Sequence, residues 1–168
     1  CVHVCPMKVD IPQLVSIIRS QWPKGKRPKS IVEDCERSLK TNTCSTAGIS
    51  VEDWKFIVED VVDDVRQTQQ GFEELNVPMD EKNATLFLTQ NSRMPLTEPL
   101  EMPPLWKILH LAGANWTYGS QGWAAENFGY FLADNEAWEK IIRKKTKVVE
   151  QLGCKVLVNT ECGHDFFA

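Results

Sequence analysis

The chain has 168 residues, 42% of them hydrophobic and 25% charged, with a net charge of −4 at pH 7. That is enough for one globular domain with a true core and room for a smaller module beside it. No run approaches the roughly 20 apolar residues of a membrane span, and the acidic balance disfavours nucleic acid as the main partner.

The first residues, Cys1-Val-His-Val-Cys5-Pro6, have the C-x3-C-P spacing of the third and fourth ligands of a bacterial ferredoxin motif. Thiolates are the soft ligands that such clusters need. This predicts that Cys1 and Cys5 hold iron and that the chain is a segment of a larger electron-transfer protein. The plainer alternative is a pair of buried thiols. The other cysteines, at 35, 44, 154 and 162, complete a set of six. Disulfide frameworks belong to small secreted domains, so a reduced, cytoplasmic compartment fits better.

Pro12 suits the first turn of a helix carrying Leu14, Val15, Ile17 and Ile18. Trp22-Pro-Lys-Gly-Lys-Arg-Pro28 reads as a linker, and a short helix is expected over Ser30–Lys40. Ser50 and Asp53 form a capping box. Behind them Trp54, Ile57, Val58, Val61, Val62 and Val65 recur at helical spacing, with six carboxylates mostly on the opposite face. This is a long amphipathic helix packed on a core; a metal site made from its acids is the sharper and less favoured alternative.

A boundary is expected near residue 76, after Asn76-Val-Pro78. Beyond it the pattern alternates. A strand is predicted at Ala84–Thr89, a helix at Leu100–Ala112, a strand at Asn115–Tyr118 and a helix at Gln121–Leu132. A helix capped by Asp134 then runs to Leu152, and a buried strand follows at Lys155–Thr160. Lys140, Arg143, Lys144, Lys145 and Lys147 on that helix read as a solvated basic face. Alternating strands and helices imply an α/β fold with a mostly parallel sheet, whose ligands sit beyond the carboxyl ends of the strands. Three loops would meet there: Thr89–Arg93, Tyr118–Trp123 and Glu161–Asp165.

Glu161-Cys162-Gly163-His164 follows a strand directly. Gly163 permits close backbone approach to a ligand. Cys162 suits a cluster ligand, and His164 and Glu161 suit proton handling or a hydrogen bond to cluster sulfur. A packed turn without chemistry is the alternative. Arg93 would either neutralise cluster or substrate charge or pair with a structural carboxylate. Cys35 reads as packed on a helix and Cys44 as a loop residue, with cluster ligation the less favoured alternative for both; Cys154 reads as core, as do Trp106, Trp116, Trp123 and Trp138. No dinucleotide or phosphate loop, catalytic triad or zinc-hydrolase spacing is present.

The stretches CVHVCPMKVDIPQL, TAGISVEDW, VPMDEKNATLFLTQNSR, GANWTYGSQGWAAENFG and VNTECGH cover most of the chain in order. Across them it resembles the cysteine-rich iron–sulfur proteins related to the catalytic subunit of heterodisulfide reductase. Within these it is most like the Hdr-D-like K-type subunit of the sulfite-reduction-associated membrane complex. The resemblance implies the trailing part of a two-cluster ferredoxin-like module with a helical linker over 1–76. Residues 77–168 would be a truncated α/β cysteine-rich domain.

The same resemblance implies an oxidoreductase subunit carrying 4Fe–4S clusters, cubane at Cys1 and Cys5 and including a noncubane catalytic cluster at CCG motifs. Electrons would pass to or from a thiol or disulfide. Implied partners are a membrane cytochrome b-type subunit, further redox subunits, and a small disulfide or persulfide-carrier protein. The subunit would be cytoplasmic, peripheral at the membrane through its partners. Cys162 and Gly163 fall on the CCG position, but Glu161 stands where the first cysteine belongs. This segment alone is therefore expected to be inactive: either its cysteine-rich domain contributes one ligand only, or it is incomplete and a full motif would have to lie beyond Ala168. Two alternatives stay open: an electron-transfer subunit without disulfide chemistry, of the glycolate-oxidase iron–sulfur type, and a structural module that has lost its clusters.

Overall fold

The computed structural model describes residues 6–160, and at Lys24 the backbone alone. The chain begins with helix α1 (Ile11–Gln21), capped by the Asp10 carboxylate, which accepts from the Gln13 amide at 3.0 Å. A short 3-10 turn at Lys24–Lys26 leads to α2 (Lys29–Lys40). Helix α3 (Val51–Thr68) starts where Ser50 Oγ accepts from the Asp53 amide at 3.0 Å. Ser50 also donates to the Asp53 carboxylate at 2.8 Å. The serine half of the expected box is thus present and satisfies an amide that a helix start leaves orphaned, while the Asp53 carboxylate meets the Ser50 hydroxyl. Trp54, Val58, Val61, Val62 and Val65 are buried, and all six carboxylates of this helix are exposed.

The remainder is a small parallel sheet threaded through helices. In order come β1 (Leu86–Leu88), the single-turn α4 (Met94–Thr97), α5 (Pro103–Leu111), β2 (Trp116–Tyr118), α6 (Phe128–Phe131), α7 (Asn135–Leu152) and β3 (Val156–Val158). The sheet order is β2-β1-β3, with Leu86 opposite both Trp116 and Val156. The chain leaves central β1 to one side and returns on the other. The protein is therefore a mixed helix-and-sheet fold with a three-stranded parallel sheet, as the alternation implied.

Three expectations are corrected. The helix over 121–132 shrinks to α6, because Gly122 adopts φ +63° and Ala124 bridges to Gln90 instead of coiling. The strand at 156–158 is an edge with Val156 and Leu157 exposed, so it is not buried. The basic face of α7 is partly inward. Lys145 is buried and donates to the carbonyls of Ala125 (2.7 Å) and Glu126 (3.2 Å). Lys144 reaches the carbonyls of Leu39 and Thr41.

One buried cluster runs across residue 76. Trp54 of α3 stacks on Trp123 at 4.0 Å and meets Tyr118 edge-on at 5.3 Å. Its indole N–H donates to the Gly119 carbonyl at 3.2 Å. A buried tryptophan removes roughly 150–250 Å² from water, worth about 4–6 kcal/mol as an upper bound. Trp54 therefore holds the N-terminal helices onto the loop that follows β2. Trp106 and Trp116 are also buried, and Trp138 is half-buried.

Candidate functional site

Central β1 is where the connections reverse direction, and parallel sheets open a crevice at such a point beyond the strand carboxyl ends. A hollow of about 400 Å³ lies there. Gln90 and Met94 follow β1, Val158 and Thr160 belong to β3 and its exit, and Met102 and Leu105 come from the α5 end. Glu101 also contributes and is the one charged side chain in the lining among the described residues. The wall is mostly thioether and aliphatic, with a few polar groups, as small-ligand sites commonly are.

The polar groups are held in place from behind. Gln90 is buried; its side-chain carbonyl accepts from Tyr118 OH at 3.1 Å, and its amide donates to Met94 Sδ at 3.0 Å. Tyr118 OH in turn accepts from Trp106 Nε1 at 3.2 Å. Burial pushes the Tyr118 phenol well above its ordinary range, so the hydroxyl keeps its proton and stays a donor to Gln90. On the β3 side, Thr89 Oγ1 donates to Asn159 Oδ1 at 2.9 Å, and Thr160 Oγ1 donates to the Thr89 carbonyl at 2.8 Å.

Two of the three loops expected at this edge, 89–93 and 118–123, meet; 161–165 lies outside the described residues. The Gln90 amide donates to the Trp123 carbonyl at 2.9 Å, and the Ala125 amide donates to the Gln90 carbonyl at 2.9 Å. Behind the loop after β1, buried Glu126 accepts from the Ser92 amide at 2.8 Å, while Ser92 Oγ meets Thr46 Oγ1 at 2.7 Å. Among the described residues Glu126 Oε2 has no hydrogen-bond partner. Burial raises the Glu126 carboxyl; its backbone and Ser92 hydrogen bonds and the Lys145 charge act the other way.

Arg93 lies on the same loop but its guanidinium is directed elsewhere. It donates to Asp34 Oδ2 at 2.6 Å, and Arg37 holds the other oxygen of that buried carboxylate. Of the two roles expected for Arg93, the structural ion pair is the one seen. Cys1, Cys5, Glu161, Cys162, Gly163 and His164 lie outside the described residues. Thr160, which lines the hollow, is the residue that precedes Glu161 in the chain.

Among the described residues no group of three His, Cys, Asp or Glu side chains converges to hold a metal. Cys35 and Cys44 are buried in the apolar cluster. Burial, with Asp134 and Glu36 nearby, pushes the Cys35 thiol up to about 11. Cys154 is half-buried just past α7 and its thiol is also raised by burial.

Gln90, Tyr118 and Glu126 were not singled out as individual residues in the sequence. The one available signal was the placement of residues 89–93 and 118–123 at strand exits. No family model, characterised protein or solved structure matches the chain.

Proposed function

We propose that the chain is a segment of an iron–sulfur electron-transfer subunit of heterodisulfide-reductase type, passing electrons to or from a thiol or disulfide bound at the β1/β3 crevice. The ferredoxin-like module would supply Cys1 and Cys5 to a cubane cluster, and Cys162 with Gly163 would stand at the cysteine-rich site. The observation that carries this reading is the hollow at the point where the connections reverse. Its β3 wall continues directly into Glu161-Cys162-Gly163-His164. Partners would be a membrane cytochrome b-type subunit and a small disulfide or persulfide carrier, with the subunit held peripherally at the membrane.

The electron-conduit alternative, without disulfide chemistry, draws support from Glu161, which puts a carboxylate where a thiolate would be needed. Both readings are tested by iron and acid-labile sulfide content and electron paramagnetic resonance on anaerobically purified full-length protein. Disulfide activity requires cubane signals and an additional signal on thiol addition, the latter lost in Cys162→Ser. Cubane signals alone, with Cys162→Ser unchanged, would leave the conduit. Absence of iron would leave neither.

A further inference from the structure

Helix α1 is an eleven-residue helix with five aliphatic side chains, and none of its residues is buried. Its inner side touches the rest of the protein lightly. Arg19 sits over the Phe131 ring at 4.6 Å and donates to the Phe131 carbonyl at 3.3 Å. An open groove of about 330 Å³ separates Ile11 and Val15 from Tyr130 and Phe131. Its outer side carries Leu14, Ile17 (52% exposed) and Ile18 (64%), while Trp22 (48%) at the C-cap lines a pocket with Arg27, Phe131 and Leu132. Leu14, Ile17 and Ile18 fall at i, i+3 and i+4, which makes one stripe. A contiguous apolar stripe left in water marks a surface that something covers.

The charge around the stripe says what covers it. From Ile11 to Val32 the chain has Arg19, Lys24, Lys26, Arg27 and Lys29 and no acidic residue, although the chain as a whole is net negative. Arg27 is engaged with Asp134 at 3.4 Å. Lys26 is exposed, and Lys29 is exposed with a loose pair to Glu33 at 3.7 Å. An exposed aliphatic stripe followed by a basic turn is the pairing that binds the headgroup region of an anionic bilayer. A protein partner of ordinary composition would have no need of both. We propose that α1 and the turn at 23–29 form a direct docking surface for anionic membrane lipid, in the plane of the interface.

The test is flotation of the full chain with vesicles of phosphatidylcholine alone and of phosphatidylcholine mixed with phosphatidylglycerol, at low and high salt. The expected result is binding to the mixed vesicles only, weakened by salt. Each neutralised lysine should cost roughly fivefold in partitioning, so Lys26→Gln with Lys29→Gln should lose about 25-fold. Ile17→Glu with Ile18→Glu should abolish binding while leaving the circular dichroism spectrum unchanged, since both side chains are exposed. No flotation with mixed vesicles would overturn the proposal. So would binding that ignores lipid charge, or binding retained by the double glutamate variant. If those glutamates instead dissolve a self-associated species seen in sedimentation, and no vesicle binding occurs, the stripe is a protein contact and not a lipid one.

Discussion

Consider Arg93→Ala, which separates a structural arginine from one that serves a ligand. Asp34 is 4% exposed at its side chain and bridges two guanidiniums, from Arg37 on its own helix and from Arg93 on the loop after β1. A hydrogen bond to a charged group is worth about 1.5–3 kcal/mol net. Two features lower that figure here. The Arg93 side chain is 60% exposed, so solvent screens it, and Arg37 remains to satisfy the carboxylate. Loss of Arg93 should therefore cost about 1 kcal/mol, or a fall in melting temperature of roughly 2–4 °C for a chain of this size. Asp34→Ala should cost about 2 kcal/mol, since both guanidiniums lose their acceptor and turn to water. A double-mutant cycle from urea melts should return a coupling of about 1 kcal/mol. A coupling of zero would refute the ion-pair reading. Full stability in Arg93→Ala together with loss of the redox activity proposed above would restore the ligand-neutralising role instead.

Two further outcomes are expected. Because burial raises the Glu126 carboxyl in the folded state, its contribution is greatest below the unfolded value of about 4.3 and declines as pH rises through the higher native value. Glu126→Gln should therefore gain on the wild type as pH rises across that window in urea melts; a difference independent of pH would refute it. Gly129 packs against the start of α7, where an added Cβ would lie 2.3 Å from the Trp138 nitrogen. Backbone cannot yield as a flexible side chain does, so Gly129→Ala should cost at least about 2 kcal/mol. Unchanged thermal stability would show that α6 and α7 separate easily.

Local features of this chain were legible without the structure. The start of α3 at Ser50 and of α7 at Asp134, and the end of α7 at Gly153 (φ +69°), follow from side chains bonding to amides within three residues and from a left-handed cap that glycine adopts freely. The apolar period of α3 likewise matched its buried face, and the alternation of elements implied a parallel sheet with its crevice at the strand exits. Tertiary contacts decided the rest. Residues 121–127 leave the helix because they pair with Gln90 and with Asn42 and Thr43, partners some 30 to 80 positions away. Lys145 lies inside because two carbonyls of that same irregular segment face it, and no pattern of charges on α7 signals this. Arg93 turned away from the crevice because Asp34, brought alongside by the docking of α2, offers a buried carboxylate. Periodicity and caps report interactions within one or two turns; the partners of a buried polar group are set by which distant segments the core brings together.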